Sequence, residues 1–201
     1  VIPIPNNFDN ARAYDGNSFP RLPLGGHICR IHNARMERNS FGADMLVIDF
    51  DVYEGGEFDK YYKRRHELNY RRNAAAKWPG VFRVNLLNRD GECGSYFKGL
   101  IKALEESNTG YNFKASNGDE RAMSGLYFGL VFGEREFETS DTHEIKVAIE
   151  PFYACSVAKV REGVSIPAKK TLHRDAPAQA QALQRSAAPT SVDDMEEELP
   201  F

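Results

Sequence analysis

The stretch from Ala43 to Gly56, ADMLVIDFDVYEGG, constrains the fold more than any other. Leu46, Ile48, Phe50 and Val52 fall on one face of an extended chain, and Val47, Asp49, Asp51 and Tyr53 fall on the other. Successive side chains of a strand point to opposite faces, so this alternation predicts a strand with one face on a core. The flanking SFG and EGG supply turns. Four further segments read as strands. GGHICRIHNARMERN begins an extended run at Gly25-Gly26. GVFRVNLLN alternates through Phe82, Val84 and Leu86. GLYFGLVFGEREF alternates through Leu126, Phe128, Leu130 and Phe132, and HEIKVAIEPFYACSVAKVREG follows as one long or two consecutive strands.

One segment changes period. In SYFKGLIKALEESNTG, Phe97, Leu100, Ile101 and Leu104 sit at i, i+3, i+4 and i+7, the stripe of an amphipathic helix. Ser95 is placed to cap its start and Gly110 lies just past its end. The order is three strands, a helix and two strands. That order predicts a mainly β fold: a five-stranded OB-fold-like barrel with one amphipathic helix between strands 3 and 4.

Composition divides the chain. Residues 1–22 are rich in Pro, Asn and Asp and are expected to form an irregular arm. Residues 23–174 carry the periodic segments and form the expected nucleic-acid-binding domain. Residues 175–192, DAPAQAQALQRSAAPTSV, lack the apolar area to offset the entropy of ordering a chain. They are expected to be a flexible linker to an acidic tip at 193–201, together a disordered C-terminal tail. From Asp175 onward there are six acids and one base, net −5, leaving 25 bases and 23 acids in 1–174, net +2. A basic body joined to an acidic tail points to a polyanionic partner, an interaction tail, or both. No apolar run is long enough to span a bilayer. The opening VIPIPNNFDN has no basic and apolar halves of a secretion signal. Cys29, Cys93 and Cys155 are far apart and odd in number, which fits reduced cytoplasmic thiols.

The basic stretch Lys60 to Trp78, KYYKRRHELNYRRNAAAKW, holds seven Lys or Arg and one Glu. The cations are Lys60, Lys63, Arg64, Arg65, Arg71, Arg72 and Lys77. Tyr61, Tyr62, Tyr70 and Trp78, the only tryptophan, are interleaved with them. Single-stranded nucleic acid needs this chemistry: cations neutralise phosphates, and aromatic faces stack on bases without sequence preference. The plainer reading is a solvated segment whose rings dip into a core. Lys159, Arg161, Lys169, Lys170 and Arg174 form a second basic group after the last strand, either a continuation of the track or a solvated exit.

Catalytic signals are sparse. Asp49 and Asp51 share a strand face and suggest a Mg²⁺-dependent nuclease, against the plainer reading of a solvated strand edge. No phosphate loop, dinucleotide fingerprint or nucleophile elbow occurs. The histidines and cysteines lack metal-ligand spacing. Neither catalysis nor a cofactor or metal is expected.

The chain ends DDMEEELPF. An acidic run closed by Leu199, Pro200 and Phe201, after a low-complexity linker, resembles the C-terminus of bacterial single-stranded DNA-binding proteins over the last 27 residues. Leu199 stands where that pattern usually has Ile. GLYFGLVFGEREF followed by IEPFYACSVAKVREG looks more like the phage-encoded counterparts, which also join an OB-fold to an acidic, aromatic-ended tail. The resemblance implies a protein of the bacterial host cytoplasm that coats single-stranded DNA during replication, recombination and repair. It implies that Phe201 enters a partner's pocket and pairs its carboxylate with an Arg, with Leu199 and Pro200 fixing the approach. Asp193, Asp194, Glu196, Glu197 and Glu198 would meet a basic rim. The implied partners are replication and recombination proteins, such as a phage annealing protein or recombinase, and a homo-oligomer is compatible with it. The alternative is a recombination accessory protein that grips protein rather than DNA.

Overall fold

Each alternating segment is a strand. The computed structural model describes residues 3–6, 8–10 and 19–172. The chain divides into two units, Val1–Lys170 and Thr171–Phe201, and every described helix and strand belongs to the first. Arg174, the linker expected over 175–192 and the tip Asp193–Phe201 lie outside the described residues.

Strands β1 (Gly25–Arg38), β2 (Asp44–Val52), β3 (Val81–Asn85), β4 (Tyr127–Glu138) and β5 (Ile145–Cys155) form one antiparallel sheet in the order β3-β2-β1-β4-β5. Helix α1 (Tyr61–Arg72) connects β2 to β3, α2 (Ser95–Ser107) connects β3 to β4, and α3 (Val157–Glu162) follows β5. The rows anticipated from period two are the core. Leu46, Ile48, Phe50 and Val52 of β2 meet Phe128, Leu130 and Phe132 of β4, and all are buried. Phe50 is central, its ring 5.1 Å from Tyr62, 6.2 Å from Phe128 and 6.3 Å from Phe132. Burying each such side chain contributes about 1.5–3 kcal/mol. Helix α2 closes the core with Leu100, Ile101 and Leu104, and Phe97 packs at its margin. Leu22 is also buried and Phe19 packs against the core, so the end of the expected arm is part of this body.

Four expectations are corrected. The sheet does not close into a barrel: β3 and β5 are its two edges. Strand β3 has only five residues, β5 shifts register opposite Val131 and Phe132, and its Pro151 at that point has no N–H to donate. A cleft of about 540 Å³ separates the two edges. The segment after β5 is not a second strand but helix α3, capped by Ser156, whose side chain accepts from the Lys159 N–H. Helix α2 begins one residue earlier in its cap than expected: Gly94 is the N-cap, and Ser95 is the first helical residue and makes no cap. Asp51 is not on a solvated edge but fully buried.

Helix α3 lies over the sheet where β1 and β4 carry glycines. A Cβ on Gly129 would stand 2.4 Å from a Val160 methyl, and one on Gly26 would stand 2.6 Å from a Val164 methyl. Gly80 allows a similar approach before β3, since a Cβ there would meet the Phe50 carbonyl at 2.3 Å. No described helix is long and apolar enough to cross a membrane.

One part-buried ion pair ties β1 to the turn after β2. His27 places Nδ1 2.8 Å from a Glu54 carboxylate oxygen and Nε2 2.9 Å from the Pro23 carbonyl. Both acceptors call for a proton on each ring nitrogen. Burial opposes the charge, but the Glu54 bond and the Pro23 carbonyl outweigh it and raise the imidazole pKa. A raised folded pKa gives stability that is full below the ordinary histidine value and lost as pH rises through the folded one. The urea midpoint is therefore expected to fall as pH rises from the ordinary histidine value of about 6.5 through the raised folded one. The fall should shrink in His27→Gln, and a pH-independent difference between the two proteins would contradict this coupling.

Candidate nucleic-acid interface

Helix α1 starts against a carboxylate from the strand before it. Asp51 accepts from the N–H groups of Tyr62 at 2.7 Å, Val52 at 2.9 Å and Lys63 at 3.1 Å. Lys60 occupies the N-cap position in a left-handed conformation, φ 53°, and its side chain caps nothing. Asp51 does that work from β2, where its charge also complements the positive end of the helix. Burial pushes its pKa up, and the three N–H donors only partly offset this.

The cap sets the helix face. Tyr61 and Tyr62 are buried in the core, where Tyr61 also meets Phe19 and Phe58. They are therefore corrected from stacking residues to core residues. The cations Lys60, Lys63, Arg64, Arg65, Arg71, Arg72 and Lys77 are all exposed. Arg64 donates to the Glu57 backbone carbonyl, and none of the seven forms an ion pair among the described residues. Lys63, His66 and Tyr70 follow one another at i, i+3 and i+7 along one flank.

From that flank a chain of rings crosses onto the sheet. Tyr70 lies 6.0 Å from His66, His66 5.5 Å from Trp78, Trp78 5.2 Å from His32, His32 6.5 Å from Tyr53, and Tyr53 6.3 Å from Tyr127. Tyr70 is 54% exposed and Tyr127 39%. Two cations lie over the far end. The Arg30 guanidinium is 5.5 Å from the Tyr53 ring and 5.6 Å from that of Tyr127, and Lys60 Nζ is 5.9 Å from Tyr53.

Hydrogen bonds hold these groups in place. Trp78 donates its indole N–H to the Phe50 carbonyl at 3.0 Å, and a His66 ring nitrogen lies 3.1 Å from the Ala76 carbonyl. Arg30 donates to the Gly125 carbonyl at 3.1 Å. The Asn108 amide bonds both the N–H and the C=O of Tyr127, at 2.8 and 2.7 Å. His32 follows the buried Ile31 on the outer face, and a bulge between Ile31 and Asn33 leaves His32 and Asn33 both exposed.

The ring chain joins Tyr70 and Trp78, named from the basic stretch, to Arg30, His32, Tyr53, His66 and Tyr127, which were not. Tyr53 and Tyr127 were legible as aromatic residues on the outward rows of two strands. The second basic group is elsewhere. Lys169 is held by Glu136 at 2.7 Å, Lys170 Nζ sits 3.6 Å from the centre of the Phe152 ring, and Lys159 lines a groove beside Lys102 and Glu106 of α2. Arg161 is exposed on α3.

The paired carboxylates do not converge on a shared open site. Asp49 accepts from Arg35 at 2.6 Å, and Asp51 is occupied by three N–H groups. Cys29, Cys93 and Cys155 are all free thiols, and burial pushes the Cys29 thiol well up.

Removing the cap tests how the helix is held. Asp51→Ala leaves three N–H groups without their acceptor and is expected to cost about 1–3 kcal/mol in urea unfolding. Asp51→Asn, which keeps one acceptor oxygen, should cost less. A neutral Asp51→Ala would contradict the capping role.

No family model matches this chain, and no curated protein is similar to it in sequence.

Proposed function

We propose that this protein binds single-stranded DNA without sequence preference and recruits replication or recombination proteins through its acidic C-terminal tip. The observation that carries the reading is the chain of rings from Tyr70 to Tyr127, flanked by cations that pair with no acid among the described residues. A solvated basic helix has no need of rings placed edge to face across a sheet. A track for an unpaired strand needs both, since each stacked base contributes about 1–3 kcal/mol and phosphate contacts add a salt-dependent share.

The strand order, with a helix between β3 and β4, supports an OB-fold whose barrel is left open, a fold used for oligonucleotide binding. On this reading Tyr70, Trp78, Tyr53 and Tyr127 offer ring faces, and Arg30, Lys60, Lys63 and Lys77 meet phosphates. Arg64, Arg65, Arg71 and Arg72 add to the field that attracts the strand. The resemblance of Asp193–Phe201 to the tails of bacterial single-stranded DNA-binding proteins supports the recruiting role, and with it a place in the cytoplasm of a bacterial host. No cofactor enters this reading.

Titrating oligo(dT) into the full-length protein while following tryptophan emission tests the first half. Trp78 is the only tryptophan, so its emission reports the strip directly. Saturable quenching is expected, with a log–log salt slope of about −0.7 per neutralised phosphate. Tyr70→Ala and Tyr127→Ala should each weaken binding by about 1–3 kcal/mol, while Tyr70→Phe retains it. Absence of saturable binding at low salt would remove the proposal.

Charge gives a second test. A version ending at Arg174 loses a segment of net −5, which lowers repulsion of the phosphate backbone. Truncation should tighten oligo(dT) binding severalfold at low salt, with the gain fading as salt rises. Equal or weaker binding would show that the tail does not oppose the strand.

A further inference from the structure

The cleft between β3 and β5 has no part in the ring chain, and its chemistry differs. One wall is the outer edge of β3, which no described strand pairs. In the β2–β3 ladder, Phe50 takes the Gly80 carbonyl and Leu86 donates to Asp44. With Val47 opposite Arg83 in this register, bonds to β2 alternate through residues 80, 82, 84 and 86. The N–H and C=O groups of Val81, Arg83 and Asn85 therefore point away from β2, into the cleft. The facing wall is Arg135, Glu150, Pro151, Phe152 and Lys170. It does not complete the ladder, and the gap of about 540 Å³ remains.

The charge of the cleft is one-sided. Arg83, Arg135 and Lys170 line it against one acid, Glu150, which is already 3.3 Å from Arg135. Helix α2 opens into the same space at Gly94, Ser95 and Tyr96, with no side-chain cap and no acid in its first turn, so its positive end adds to the field. Tyr96, 61% exposed, and Leu87, 56% exposed, stand at the lining as apolar contacts.

We infer that this cleft binds an extended acidic peptide of a partner protein, which adds to β3 as a strand and fills the opening in the sheet. An added strand lies about 4.8 Å from its neighbour and bonds through its backbone, while alternate side chains meet the walls. Free backbone groups call for an extended chain, and the cations select an acidic one.

A fluorescein-labelled ten-residue peptide with Glu at alternate positions and Val or Phe between them is the probe. Anisotropy with the full-length protein should show saturable binding. Binding should be about tenfold or more weaker for the same peptide with Lys in place of Glu. A similar loss is expected when alternate backbone amides are N-methylated, which keeps the charge and removes strand addition. Arg83→Pro deletes the outward N–H at an edge position without breaking the β2 ladder, and should lose binding while circular dichroism stays unchanged. Should that variant unfold, Arg83→Glu gives the same expected loss through charge. Hydrogen exchange should show the amides of Val81, Arg83 and Asn85 slowed by the peptide.

Undiminished binding of the N-methylated peptide would overturn the inference, because charge alone would then hold it. Absence of saturable binding of the acidic peptide would overturn it too. So would concentration-dependent dimers abolished by Arg83→Pro, which would make a second copy the occupant. None of these results bears on the oligo(dT) titration, since the ring chain lies outside the cleft.

Discussion

The buried carboxylate of Asp51 is the contact on which the rest of the surface depends. It lies at the end of β2, one residue from the last core position of that strand, and caps the helix that follows across an eight-residue turn. A carboxylate with no solvent exposure is costly unless its lone pairs are filled, and here three backbone N–H groups fill them. The same contact orients α1. With Tyr61 and Tyr62 turned into the core by the first helical residues, the following cations can only point outward. Lys63, His66 and Tyr70 then share a flank beside Trp78. Arg71 and Arg72 sit in the last turn, where they complement the negative end of the helix. A segment rich in like charge is thus held folded at both ends by electrostatics, and its exposed cations need no local acid to stay in place.

The sheet contributes what a helix cannot. Strands hold side chains in rows about two residues apart, and those rows bring Arg30 opposite Tyr127 and opposite Asp51. His32 is the residue that joins helix and sheet. Alternation from the buried Ile31 puts His32 on the outer face, where its ring lies between those of Trp78 and Tyr53. The bulge that follows keeps Asn33 on that face too and returns Ala34 to the core.

The strands were legible in the sequence because their physics is local. Leu46, Ile48, Phe50 and Val52 announce a buried row whatever lies around them, and so do Phe128, Leu130 and Phe132. The stripe of α2 was legible for the same reason. Helix α1 was not, since its buried face is two adjacent tyrosines and a flank of mixed character, with no i, i+3, i+4 apolar repeat to read. That also explains the error over Tyr61 and Tyr62. An aromatic residue beside cations reads alike whether it faces a base or a core, and only the cap from Asp51 decides between them. Asp51 itself looked like a solvated acid because its partners are backbone groups, which a sequence does not display. Barrel closure was not legible for a related reason: strand order says which strands are neighbours, but closure depends on the length of β3 and on Pro151. The ring chain was half visible, as Tyr70 and Trp78 in the basic stretch and as Tyr53 and Tyr127 on outward rows. Contacts between distant segments assembled it.

Two positive regions on one small body raise the question of how they stay distinct. Charge does not separate them, since both would attract any polyanion at long range. Short-range chemistry does. The ring chain presents aromatic faces with its nearby backbone already bonded, as at Phe50, Gly125 and Tyr127, so it suits flat bases and has little to give a peptide. The cleft presents unpaired backbone groups along β3 and has few exposed ring faces, so a nucleic acid there would leave those groups unbonded once water is excluded, at a cost of about 1–3 kcal/mol for each buried group. On the readings proposed, the same overall field brings either ligand to the surface. What each wall leaves unpaired then decides which ligand remains.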